Sequence, residues 1–363
     1  MGQETMTAAD IFSPISFTRG PDWKNRLALA PLTNQQSHDT GVLSEDEYKW
    51  LTMRATGGFG MVMTCAAHVQ ANGQGFPGQL GVWSDDHLDG LTRLADGLRE
   101  GGAVSSLQLH HAGIRSPKDI VGQPVGASDD ADTGSRALTT EEVEQLRDDF
   151  ITAAKRAEKA GFDGVEVHGA HGYILAQFLS PEINQRDDQY GGSFENRCRL
   201  ILEVITGIRE ACRPDFQIGV RFSPERFGQR LGEMKQFFSE LVTRDEVDYI
   251  DLSLWDSFKT PEEEEFKDKS LLQHFMDLPR GNVKVGTAGK IVDAEHVRSV
   301  LEAGCDFAMI GRAAILAHDF PEKVRADADY ASPKWPLPAE HYLAEGISPT
   351  FVEYLRSTFR MVS

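Results

Sequence analysis

The chain has 363 residues, 40% of them hydrophobic, enough to bury a large core as either two domains or one big barrel. A formal net charge of −19 and a pI near 5.0 oppose a sequence-independent grip on nucleic-acid phosphates, which needs a positive surface. No apolar run approaches the roughly 20 residues of a membrane span, and the first twenty residues lack the basic and apolar regions of a signal peptide, so the reading is a cytoplasmic protein without a membrane partner.

In chain order, short runs rich in branched residues recur at 26–30 (RLALA), 60–64 (GMVMT), 104–109 (VSSLQL), 163–167 (DGVEV), 217–221 (QIGVR), 247–252 (VDYIDL), 282–286 (NVKVG) and 306–310 (DFAMI). Their separations are too wide for hairpins and carry helical patterns, the mark of parallel βα units, and eight such units make a closed (β/α)8 barrel. Thr139 to Glu142 offers a capping box for a helix reaching Ala160, where Gly161 stops it; Glu295 to Ala303, ended by Gly304, is a second helix. The widest insertions, about 66–90 and 112–138, follow strands and so fall on the face where barrel enzymes keep their active sites. With no linker or repeat in view, the expectation is one domain over 1–363. The segment 331–363, with Trp335 and an apolar pattern from Phe351 to Phe359, fits either packing on the barrel or a subunit contact in a homo-oligomer. Glu262 to Glu265 reads as a solvated loop. Cys65, Cys198, Cys212 and Cys305 form no CxxC pair and read as reduced, partly buried thiols rather than metal or cluster ligands.

Two stretches carry chemistry. Val167-His168-Gly169-Ala170-His171-Gly172-Tyr173 gathers two imidazoles and a phenol just beyond the fourth strand. Neutral histidines there can donate hydrogen bonds to a carbonyl or nitro oxygen, and the tyrosine can supply a proton. Spacing alone leaves three readings open: carbonyl polarisation, a metal site, or structural histidines. After the seventh and eighth strands, Gly289, Gly311 and Arg312 stand where barrels commonly bind phosphate, glycines letting backbone N–H groups approach and the arginine fork holding oxygens. Together they point to a phosphate-bearing ligand.

WKNRLALAPLT (Trp23–Thr33), LQLHHAG (Leu107–Gly113), GFDGVEVHGAHGYILAQFLSPEINQRDDQYGGSFENR (Gly161–Arg197) and GCDFAMIGR (Gly304–Arg312) resemble the old yellow enzyme family, and the similarity runs from about residue 10 to about residue 330. The resemblance implies a (β/α)8 barrel holding FMN without a covalent link and taking hydride from NADPH or NADH. It implies flavin contacts at Ala30, Pro31, Leu32, Thr33, Ala66, Gln108 and Arg221, a phosphate site at Gly289, Gly311 and Arg312, substrate-oxygen binding by His168 and His171, and proton donation by Tyr173. No metal is implied. His110 occupies a pocket position that other members fill with tryptophan or a small residue, and is expected to contact substrate. Thr33 and Gln35 stand where some bacterial members carry cysteine and tyrosine. The implied activity is ping-pong reduction of the activated C=C bond of an unsaturated carbonyl or nitro compound. Demethylation or dehydrogenation on the same flavin barrel is the nearer alternative; a metal-dependent hydrolase using His110, His111, His168 and His171 and a non-catalytic phosphate binder are the distant ones.

Overall fold

A computed structural model describes residues 8–363. Eight parallel strands, β1 (Leu27–Leu29), β2 (Met61–His68), β3 (Val104–His110), β4 (Gly164–Gly169), β5 (Gln217–Phe222), β6 (Tyr249–Ser253), β7 (Lys284–Ala288) and β8 (Phe307–Ile310), close into a barrel in sequence order. The chain is therefore a (β/α)8 barrel, and β1 seals it by pairing both β2 and β8. Strand ends differ from the sequence expectation mostly by one or two residues. The largest difference is β2, which runs on to His68 because a bulge between Met63 and Ala66 keeps it paired with β3; Ala66 thus lies within the strand rather than after it. Likewise β4 continues through His168 to Gly169, paired with Arg221 and Phe222.

Long helices α1 (Glu45–Thr56), α2 (Leu88–Glu100), α3 (Thr140–Lys159), α4 (Phe194–Ala211), α5 (Leu231–Arg244) and α6 (Ala294–Glu302) belong to the outer layer. The capping box of α3 forms as expected: Glu142 N donates to Thr139 Oγ1 at 3.2 Å and Thr139 N donates to Glu142 Oε2 at 2.9 Å. Helix α6 starts one residue before its expected position because Asp293 caps it, accepting from His296 N at 2.7 Å. Glu262, Glu264 and Glu265 are exposed, as a solvated loop would have them. Glu263 instead accepts from Leu231 N at 2.6 Å, at the start of α5.

Inside the barrel, at its N-terminal end, Trp23, Tyr249 and Phe307 pack edge to face, with ring centroids 5.0–5.8 Å apart. The rings occupy space that Gly219 and Gly286 vacate: a Cβ there would lie 2.1 Å from Tyr249 and 2.2 Å from Phe307. Both polar tips are satisfied, Trp23 Nε1 by Gln217 Oε1 at 3.1 Å and the Tyr249 hydroxyl by Ser106 Oγ at 3.2 Å. Residues 331–363 pack on the barrel through Ser348 N to Gln36 Oε1 (3.0 Å) and Phe351 against Trp50. Cys65, Cys198 and Cys305 are buried, Cys212 is half-buried, and all four are free. Among the described residues no helix is long and apolar enough to cross a membrane.

Candidate active site

A cavity of about 370 Å³ opens at the C-terminal end of the barrel, within the usual range for ligand pockets. Every strand contributes to it. Ala30, Pro31, Leu32 and Thr33 follow β1, Ala66 lies on β2 and Gln108 on β3; His168, with His171 and Tyr173 beyond it, comes from β4; Arg221 lies on β5; Gly289 follows β7; Gly311 and Arg312 follow β8. Parity explains the convergence, because Glu166 and His168, like Asp251 and Ser253, stand two apart on one face of their strands.

His110 is the exception. Its ring is buried with Nε2 closed off from solvent, it does not line the cavity, and it packs behind Tyr173 with centroids 4.4 Å apart. As the last residue of β3 it is tied down by Gln79 Nε2, which donates to His110 Nδ1 at 3.1 Å while Gln79 Oε1 accepts from Gly75 N at 2.6 Å. The loop after β2 therefore ties His110 down behind Tyr173, so that among the residues expected at the pocket it is the one outside the cavity lining.

The histidines are neutral. Burial, then His171 and then Arg221 hold His168 well below the usual imidazole range; burial and Arg221 do the same to His171. His168 Nδ1 accepts from Ala170 N at 3.2 Å, and the His171 amide donates to Ser223 Oγ at 3.0 Å while its backbone takes a left-handed φ of 61°. The Arg115 guanidinium donates to the His171 carbonyl and lies over the Tyr173 ring, 4.7 Å from its centroid. Below them, Arg221 Nε is 3.0 Å from Asp251 Oδ2, and Gln108 Nε2 donates to Glu166 Oε1 at 2.7 Å. Burial, and then the Asp251 charge, pushes Glu166 up to about 8, and burial raises Asp251 as well, against the pull of Arg221 beside it. Arg221 and Gln108 are thus cavity-lining groups and interior partners at once. Among the described residues, His110, His111, His168 and His171 do not bring three ligand nitrogens within 4.8 Å of one another, as a zinc site would require.

Several lining residues escaped the sequence reading. Ser253 follows from parity with Asp251, a signal that was available. Phe351, Tyr354, Leu355, Phe359 and Met361 form a wall that depends on where residues 331–363 fold back, which no local pattern encodes.

The profile of the NADH:flavin oxidoreductase / NADH oxidase family matches residues 10–329. The chain belongs to this family, that of the old yellow enzyme. Among relatives, a probable NADH-dependent flavin oxidoreductase of Bacillus subtilis is 35% identical over 327 residues, 87% of each chain. An NADH:acrylate oxidoreductase of Vibrio harveyi is 32% identical over 341 residues, 88% of this chain but 33% of that longer protein. The structure of an old yellow enzyme homologue from Zymomonas mobilis superposes with a TM-score of 0.80 at 25% identity, covering 95% of this chain and 99% of that one. An old yellow enzyme of this kind is an oxidoreductase using a flavin and a reduced pyridine nucleotide. The cavity residues fit a flavin: Arg221 Nε is buried without an aligned hydrogen bond, and beside Gly311, where a Cβ would meet only Leu32 Cδ2 at 3.8 Å, the cavity leaves room for a ligand to approach the backbone.

Proposed function

We propose that this oxidoreductase carries non-covalent FMN and reduces the activated C=C bond of an α,β-unsaturated carbonyl or nitro compound with NADPH or NADH, in ping-pong order. The observation that carries the reading is the meeting of two neutral histidines and a phenol with a buried arginine and a glycine–arginine pair in one cavity. Ala30, Pro31, Leu32, Thr33, Ala66 and Gln108 would flank the flavin ring, Arg221 would offset negative charge on it, and Gly289, Gly311 and Arg312 would hold its phosphate. When bound, that cofactor supplies the hydride.

His168 and His171 then hold the electron-withdrawing oxygen, and because both are neutral donors their bonds strengthen as negative charge develops on that oxygen. Tyr173 delivers a proton to the α-carbon. The name of the Vibrio relative, an acrylate oxidoreductase, supports an activated double bond as acceptor.

The test is the visible spectrum of the purified protein under anaerobic conditions, first with NADPH and then with 2-cyclohexenone. A yellow protein that bleaches and then recovers its colour is the expected result. Bleaching without recovery, repeated with maleimide and a nitroalkene, rules out the C=C acceptor, and a colourless protein that takes up no added FMN removes the cofactor.

A further inference from the structure

Ser253 ends β6 with its side chain toward the cavity, between two residues given roles above. Its Oγ lies 2.6 Å from His171 Nε2 and 3.3 Å from Arg221 Nη2. A guanidinium has only donors, so the serine oxygen accepts from Arg221 and keeps its single proton for another partner. Two arrangements remain at the shorter contact. If His171 Nε2 carried a proton and donated, the oxygen would accept twice and its own proton would find no partner among these residues. If the hydroxyl donates, all three groups are used, and accepting from a cation makes the hydroxyl a stronger donor.

We propose that Ser253 is a positioning residue: its hydroxyl, polarised by Arg221, donates to His171 Nε2 and so fixes the ring as the tautomer protonated on Nδ1. His168 is held in the opposite tautomer, because its Nδ1 accepts from Ala170 N and its proton resides on Nε2. Both rings are kept neutral by burial, so each has one proton to place. The pair thereby offers two N–H groups to one oxygen. With His171 in the other tautomer, Nδ1 would present a lone pair to that oxygen and repel it. The Arg221–Ser253–His171 chain also ties the cation assigned to the flavin to the group assigned to substrate. This inference rests on the oxygen-holding role proposed for His171, but the tautomer itself can be read without turnover.

The test is long-range proton–nitrogen correlation NMR on FMN-loaded protein labelled with nitrogen-15 in histidine, for wild type, Ser253→Ala and Ser253→Thr. In the wild type, His171 should show a protonated Nδ1 and a bare Nε2, and His168 the reverse. Ser253→Ala should shift the His171 pattern toward Nε2 protonation and leave His168 unchanged, while Ser253→Thr, which keeps the hydroxyl, should retain the wild-type pattern. In stopped flow, Ser253→Ala should slow enone-driven reoxidation about tenfold or more beyond any effect on reduction by NADPH, with Ser253→Thr restoring it. A wild-type His171 protonated on Nε2, or a Ser253→Ala protein with an unchanged His171 pattern, overturns the proposal. Failure of the wild type to reoxidise with any activated alkene would instead sink the proposed reaction and leave the tautomer test standing.

Discussion

At the N-terminal end of the barrel, Trp23, Tyr249 and Phe307 interlock with every polar tip paired, whereas at the C-terminal end Arg221, Asp251, Glu166 and His111 all leave buried polar atoms without an aligned partner. Backbone strain divides largely the same way, six of the eight described non-glycine residues with left-handed backbone lying beyond strand ends, the others being Asp245 at the end of α5 and Arg360. Gln35, His171, Arg226, Phe227, Trp255 and Lys290, all in loops after strands, adopt left-handed backbone without being glycine, at about 1–3 kcal/mol each where the conformation is disfavoured. One barrel thus concentrates paired packing at one end and unsatisfied polarity and most of its strain at the other, where Arg221 lines the cavity.

That contrast can be broken at either end. The largest effect is expected for Trp23→Ala, which empties the lower core and orphans Gln217: about 3–5 kcal/mol of stability by denaturant midpoint, with turnover per folded molecule unchanged. A comparable loss of turnover would show that the two ends are not separable. Next, His168→Ala should slow the enone half-reaction about 10²–10³-fold, some 2.7–4 kcal/mol of barrier, while the denaturant midpoint holds or rises. A midpoint that falls by several kcal/mol would make His168 a packing residue.

Glu166 sharpens the comparison through pH. Its folded value is raised to about 8 against about 4.3 in the unfolded chain, so between those values only the folded state keeps the proton. Its contribution is complete below about pH 4.3 and lost as pH rises through about 8, a titration it shares with the neighbouring Asp251. Glu166→Gln should flatten that fall in urea midpoints taken from pH 5 to 8; parallel curves for the two proteins would show that the carboxyl is not protonated in the fold. The smallest effect belongs to neither end. Thr139→Ala removes the cap of α3 and should cost about 1 kcal/mol without altering either half-reaction.

The barrel was legible because alternation between branched strand runs and amphipathic helices is local, and because Thr139, Glu142 and Gly161 punctuate the chain where they stand. The residues gathered at the cavity were largely legible too, since strand-end position in a closed barrel is already a three-dimensional statement; Ala66 and His168 joined the site although their strands run past the expected ends. His110 lies outside the cavity lining because parity and a strand end place a residue near the mouth but do not say what lies in front of it, and here Gln79 and Tyr173 do. Tyr354 and Phe359 were invisible as site residues for the opposite reason: their place depends on a fold-back that brings Ser348 to Gln36, more than three hundred residues away along the chain.

The fit of Tyr249 over Gly219 and of Phe307 over Gly286 bears on how this sequence can drift. Any side chain at either glycine needs the facing ring to shrink first, and a smaller ring alone leaves a void, so each single step passes through a less stable protein. These positions should therefore change in pairs: among related chains, a larger residue at 219 should accompany a smaller one at 249, and likewise at 286 and 307, so that covariation marks the foot of the barrel.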